Sequence, residues 1–260
     1  MGKVKLGLQA YAVQHAFAKD PVDTIQRIAQ MGYECIELNC GAMKQEPQYY
    51  LDALNAAGLA CCSCMADWGQ LVPDKLEQTI AQCKGLGAKS LIIGMVDPAR
   101  LKEDPAYPRQ AVDYMNYLLK RFEKEGISTG YHSHDIDSIR VAEGKSFYDM
   151  VMENTPECFS MVMDTGNTWA GGDDPVAYLK RYPSRSPILH LKGYGKENGY
   201  MTALWESDRD WTDLLTTAMD RCGTETMIVE FGKRGAYDPY DCAEKSLHWL
   251  KGRLQALGRL

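Results

Sequence analysis

The chain has 260 residues, 45% hydrophobic and 25% charged, ordinary globular values that exclude a disordered or fibrous protein. Its formal net charge of −6 weighs against a nucleic acid or an anionic membrane surface as partner. No run approaches the roughly 20 apolar residues of a membrane span. The opening Met1-Gly-Lys-Val-Lys-Leu-Gly7 leads into a strand without the apolar core of a signal peptide, so the expected location is cytoplasmic. Nine cysteines, with Cys61, Cys62 and Cys64 crowded into one apolar run, fit neither CxxC pairs nor a zinc ribbon. They are expected to be reduced, mostly buried thiols.

Residues 4–11 predict a first strand. Asp20-Pro21 opens a helix to residue 31, with Ile25, Ile28 and Ala29 at helical spacing and Gly32 as its stop. Then follow a strand at 35–38, a helix at 46–57 closed by Gly58, and a strand at 59–65. A helix at 75–86 and a strand at 90–94 come next. An amphipathic helix over 109–124 places Val112, Met115, Leu118, Leu119 and Phe122 on one side and ends at Gly126. The second half keeps the same beat, with strands at 127–132, 160–163, 188–191 and 227–230 and helices at 146–153, 174–181, 211–221 and 240–256. These are eight strand–helix units without a break in composition. The expected architecture is therefore α/β: a single (β/α)8 TIM barrel domain over residues 1–260. A doubly wound open sheet is the structural alternative. It is weakened because the first βα turn has no G-x-G-x-x-G phosphate loop, and Gly85-Leu-Gly87 follows a helix rather than a strand.

His132, His134, Asp164, His190 and Glu230 each stand at or near the C-terminal end of a predicted strand. In a barrel those ends meet on one face. Side chains alternate along a strand, so His132 and His134 point the same way and Ser133 the other. Taken singly, each has a bland reading as a structural histidine or a rim carboxylate. Together, two imidazoles and two carboxylates form a mixed N/O shell for a divalent transition metal. Glu37 ends the second strand, where it suits either substrate hydroxyls or a partner on a neighbouring strand. Lys192 shares the direction of His190 and suits either a substrate carbonyl or pairing with Asp164 or Glu230. Asn167, Trp169 and Tyr194 are candidates for an aromatic, hydrogen-bonding wall against a sugar ring, and Trp68, Tyr11 and Gln9 are candidates for the same mouth with lower weight. His15 and His248 occupy no strand tip and are expected to have no role in the site.

Several stretches carry a family resemblance. The opening Leu6-Gly-Leu-Gln9-Ala-Tyr11, the run from Asp20 through Gly32-Tyr33 to Glu37, and Met163-Asp164-Thr-Gly-Asn167 are three of them. His190-Leu-Lys192 is another, and Gly130-Tyr-His-Ser-His-Asp135 resembles a Tyr-His-Asn-His-Asp signature of one branch. Over essentially its whole length the chain resembles the xylose-isomerase-like sugar phosphate isomerases/epimerases. The resemblance implies metal ligands at Asp164, His190 and Glu230, with His132 where many members have a glutamate that both binds metal and moves a proton. His132 is preferred as the fourth ligand. His134 is placed beside it in catalysis with Glu230, Lys192 and Glu37. The implied activity is isomerisation or epimerisation of a keto sugar by proton transfer through an enediolate that a divalent cation stabilises. Mn2+ is the first expectation, and Zn2+, Co2+, Fe2+, Ni2+ or Mg2+ are alternatives. The histidine in place of glutamate keeps two further readings open: a lyase or dehydratase removing a β-substituent, as from 3-keto-glycosides, and a non-catalytic sugar-binding barrel or subunit of a hetero-oligomer. The expected partner is a small carbohydrate, not nucleic acid or membrane, with a homo- or hetero-oligomer left open. An endonuclease on the same barrel is disfavoured by the acidic balance.

Overall fold

The structure, a computed structural model, describes residues 3–141, 144–232 and 237–260, so Met1 and Gly2 of the opening run lie outside it. Its first half runs β1 (Lys5–Gln9), α1 (Gln14–Lys19), α2 (Pro21–Met31), β2 (Cys35–Asn39), α3 (Pro47–Ala57), β3 (Ala60–Ala66), α4 (Pro73–Gly85), β4 (Ser90–Ile93), α5 (Pro98–Glu103) and α6 (Tyr107–Glu123). Its second half runs β5 (Ser128–His132), α7 (Phe147–Glu153), β6 (Ser160–Asp164), α8 (Thr165–Ala170), α9 (Pro175–Arg181), β7 (Ile188–Leu191), α10 (Trp211–Arg221), β8 (Thr226–Val229) and α11 (Pro239–Ala256). Four Asp-Pro pairs open α2, α5, α9 and α11. In each, the Asp side chain accepts backbone N–H bonds of the first turn while proline fixes φ where no donor is needed. Gly32 and Gly58 end α2 and α3 at φ 92° and 68°, a left-handed backbone that glycine adopts without steric cost.

The eight strands pair in sequence order, all parallel, and β8 pairs back with β1 to close the barrel. The expected (β/α)8 barrel is therefore the observed fold. Strand side chains alternate between two apolar layers. One is the large core between the sheet and the helices, with Leu6, Leu8, Tyr131, Met161, Met163, Leu189 and Val229 among its members. The other is a small cluster of Met65, Ile92, Val162, Ile188 and Ile228 inside the barrel. Two residues beyond this plug on the same strand phase come Asp164 after Val162, His190 after Ile188 and Glu230 after Ile228. The polar tips thus follow from an apolar floor and a period of two.

Three six-residue helices, α1, α5 and α8, were not expected. Less than two turns gives too few positions for a 3.6-residue period to show. The register between β2 and β3 also shifts, from Ile36 opposite Cys61 to Glu37 opposite Ser63, so β3 carries one extra residue. No helix among the described residues is long and apolar enough to cross a membrane. All nine cysteines are reduced thiols, with Cys158 exposed and the others buried or partly buried.

Gly130 faces Ser160 across β5 and β6. A Cβ there would lie 2.2 Å from the Ser160 carbonyl oxygen, a backbone atom that cannot yield without breaking the barrel. Gly130→Ala is expected to destabilise the protein by about 1–3 kcal/mol, read as a lower urea midpoint at unchanged slope.

Candidate metal centre

One nitrogen or oxygen from each of His132, Asp164, His190 and Glu230 lies within 4.8 Å of the others, and all four residues are buried. The carboxylate of Glu230 is central. Its Oε2 is 2.8 Å from His190 Nδ1 and 3.8 Å from His132 Nε2. The His132 and His190 rings lie 4.5 Å apart between centroids. Asp164 is fixed by its own chain: it caps α8 by accepting the Asn167 N–H at Oδ1, 2.7 Å away, and its N–H donates to Ser133 Oγ at 2.8 Å. Asp164 Oδ2, His132 Nδ1 and His190 Nε2 are buried without a hydrogen-bond partner. Buried orphans of this kind each cost about 1–3 kcal/mol, and a cation shared by the group would satisfy such atoms. The donor set fits a divalent transition metal. The group can hold one.

A second ring of residues supports the first. Glu37 accepts Gln9 Nε2 at 3.0 Å and Ser63 Oγ at 2.6 Å, from the strands on either side. The β3 bulge brings Ser63 opposite Glu37. Glu37 Oε1 also lies 3.1 Å from His190 Nε2, off the line a hydrogen bond needs. His190 therefore stands between two carboxylates, with Nδ1 toward Glu230 and Nε2 toward Glu37. Lys192 Nζ lies 3.0 Å from Asn167 Oδ1, 3.1 Å from Glu230 Oε1 and 3.7 Å from Asp164 Oδ2. Asn167 in turn donates from Nδ2 to the Ser133 carbonyl at 2.9 Å.

Burial depresses His132 well below the ordinary imidazole value, with His190 adding to the effect. Burial also takes His134 down to about 4. Burial pulls His190 the same way, but Glu37 and Glu230 outweigh it and hold its imidazolium up to about 10. Asp164 is raised by burial to about 6, against the pull of Lys192. Burial opposes ionisation of Glu230 too, yet Lys192 and His190 keep it well below the usual carboxylate range. A cation entering the group must displace the proton of His190. Its affinity should therefore climb about tenfold per pH unit through neutrality, and more steeply below about 6, where Asp164 also carries a proton. Calorimetric titration with Mn2+ in buffers of different ionisation heat counts the protons released. No release at pH 7 would contradict this arrangement.

The sequence profile described as "Xylose isomerase-like TIM barrel" matches residues 25–252. The chain belongs to that family. Among curated relatives it is 29% identical over 136 residues to inosose dehydratase 2 of Bacillus cereus, a match covering 47% of this chain and 44% of the relative. The aligned region thus spans under half of that relative's length. Among solved structures, a sugar phosphate isomerase/epimerase from Parabacteroides distasonis superposes with a TM-score of 0.78 at 22% identity, covering 96% of this chain and 98% of that one. An IolI protein crystallised with a zinc atom superposes with a TM-score of 0.69 at 12% identity, covering 97% and 99%. At these identities the two structures share the fold of the family with this chain.

The remaining candidates make contacts of their own. His134 is half-buried, with its ring 4.9 Å from that of His132 and its Nδ1 without a partner. Tyr194 lies under Arg209 at 5.2 Å and edge-on to Tyr200. Trp169 is edge-on to Trp211 of α10, and Trp68 is edge-on to Tyr114 of α6. His15 and His248 are exposed on α1 and α11. Sequence reasoning passed over Ser63, Arg209 and Tyr200, and gave Ser133, which accepts the Asp164 N–H, no part in the site; the ring of Tyr200 sits 5.2 Å from Lys192 Nζ. Tyr200 follows a strand by nine residues, and no periodicity marks a loop residue that far out.

Proposed function

We propose that this protein is a divalent-metal-dependent enzyme that takes a proton from the carbon next to the carbonyl of a keto sugar or related polyol. The observation that carries this reading is the buried group of His132, Asp164, His190 and Glu230 with Lys192 against two of its carboxylates. A divalent cation held there, Mn2+ first or Zn2+ as in the IolI structure, would polarise the carbonyl and offset the charge that develops as the proton leaves. Glu37 orients His190. His134, neutral at pH 7 with a free ring nitrogen, is the candidate base. Lys192 is the candidate acid, and Asn167 aims its amine. Asn167, Tyr194, Trp169 and Trp68 remain candidates for substrate contact.

Two outcomes share that first step. In elimination, the electrons of the broken C–H bond form a C=C bond, and the substituent one carbon further leaves with a proton from Lys192, as water when it is hydroxide. In isomerisation or epimerisation the proton returns to carbon. The dehydratase name of the sequence relative favours elimination. The isomerase/epimerase reading rests on a structural neighbour whose likeness is one of fold. Incubating the Mn2+-loaded protein in D2O with a panel of keto sugars and keto cyclitols separates them. Deuterium in recovered substrate or its isomer supports proton return, and an unsaturated product supports elimination. Neither, with metal bound, overturns the enzyme reading in favour of a sugar-binding barrel.

A further inference from the structure

Six of the nine cysteines fall between Cys35 and Cys83, and the metal group uses none of them. The β3 bulge brings two of these six into contact. Cys61 stands opposite Ile36 and Cys64 opposite Leu38, so three residues of β2 face four of β3. In a regular strand, residues three apart point to opposite faces. The extra residue cancels that. Cys61 and Cys64 both pack in the layer between sheet and helices, while Cys62 turns to the barrel interior. Their Sγ atoms are 4.0 Å apart. Cys64 is fully buried and Cys61 only partly, so the pair is sealed on one side and reached from the other. Cys40, just after β2, and Cys83 of α4 border Cys64 in the same layer.

A separation of 4.0 Å is too long for a disulfide, whose sulfurs bond at about 2.05 Å. It suits two thiolates on one ion. Sulfurs each about 2.3 Å from a metal stand about 3.8 Å apart at a tetrahedral angle and about 4.6 Å apart in line. The ion must also accept few ligands. Among the described residues, no third histidine, cysteine, aspartate or glutamate joins this pair within 4.8 Å, the spacing at which the His132–Glu230 group meets. Structural zinc takes four ligands, and Mn2+ and Mg2+ prefer oxygen. Thiolates select soft ions, Cu+ foremost, and Cu+ is stable with two sulfurs. Little is given up on binding: besides its neighbour, Cys61 Sγ meets the Ser63 carbonyl at 3.4 Å, and a thiol is a weak donor.

We propose that Cys61 and Cys64 form a second metal site, which takes one soft monovalent cation, Cu+ by its chemistry, between their two sulfurs. Each thiol gives up its proton as its sulfur bonds the ion, so two protons leave per Cu+ and no oxidant is needed. The site stands apart from the group of His132, Asp164, His190 and Glu230, whose nitrogen and oxygen donors suit another class of ion. The test titrates the reduced full chain, saturated with Mn2+ and kept free of oxygen, with Cu+ against the chelator bicinchoninate. A single equivalent of Cu+ is expected to stay with the protein and to show thiolate-to-copper absorption in the ultraviolet. Cys61→Ser and Cys64→Ser, checked for folding by thermal melting, should each weaken retention by at least about a hundredfold, the upper end of what an outer partner of a ligand contributes. Cys158→Ser, at the exposed thiol, should leave it unchanged. X-ray absorption at the copper edge of the wild type needs no variant, and sulfur neighbours alone are expected. Nitrogen or oxygen neighbours would place the Cu+ at the histidines and overturn the inference. Release of all the Cu+ to the chelator, or undiminished retention by both serine variants, would overturn it too.

Discussion

Replacing His190 with alanine is expected to remove the divalent cation and to lower turnover by at least about a thousandfold, the scale of several kcal/mol of charge stabilisation. His190 is the one imidazole set between two carboxylates, 2.8 Å from Glu230 and 3.1 Å from Glu37. Its loss opens a gap in the metal group and leaves both carboxylates buried without their shared partner. A stability loss of about 3–5 kcal/mol is therefore expected alongside the loss of metal. Glu37→Gln separates the two effects. Glutamine keeps the size and can still meet Gln9 and Ser63, but it removes the charge that orients His190. Orienting partners of this kind are worth about 10–100-fold in metal affinity. Elemental analysis of the wild type, Glu37→Gln and His190→Ala should therefore show a graded loss of Mn2+ or Zn2+. Equal metal content in all three would mean that this group does not hold the cation.

The fold was legible because its strands are short apolar runs and its helices begin at Asp-Pro and end at glycine. Such signals act within a few residues, and Asp20-Pro21 and Gly32 place α2 without help from the rest of the chain. The metal group was legible for a related reason: the phase of each strand is fixed by its buried members. Ile188 and Ile228 face inward, so His190 and Glu230 must follow. What the sequence hid depends on contacts between distant segments. Ser63 reaches Glu37 through a bulge that shifts the register of β3, and nothing in Cys61-Cys62-Ser63 announces the extra residue. Asn167, a candidate for contact with a sugar, also holds its neighbours: its amide donates to Ser133 and accepts from Lys192. It sits on α8, a helix too short for a periodic signal, which Asp164 caps with the carboxylate that also joins the metal group. One residue with two roles looks, in sequence, like a residue with one.

Lys192→Met is expected to lower kcat by about 10²–10⁴, the range for losing a positioned proton donor, while leaving metal content the same or higher. The sign of the second effect follows from charge. Lys192 Nζ faces Glu230 Oε1 at 3.1 Å and Asp164 Oδ2 at 3.7 Å, both in the group that would hold the cation. Removing that positive charge makes the group more attractive to a divalent ion and raises the proton affinity of both carboxylates, which Lys192 now depresses. A structural counter-ion would behave differently: its loss would change metal affinity and stability but leave the rate per bound metal nearly intact. Lys192→Arg sharpens the distinction. Arginine keeps the charge beside Glu230 and Asp164 but does not give up its proton at working pH, so it should restore the metal affinity of the wild type without restoring kcat. Full turnover by Lys192→Arg would assign Lys192 to holding charge alone and leave the protonation of the departing group to another residue or to water.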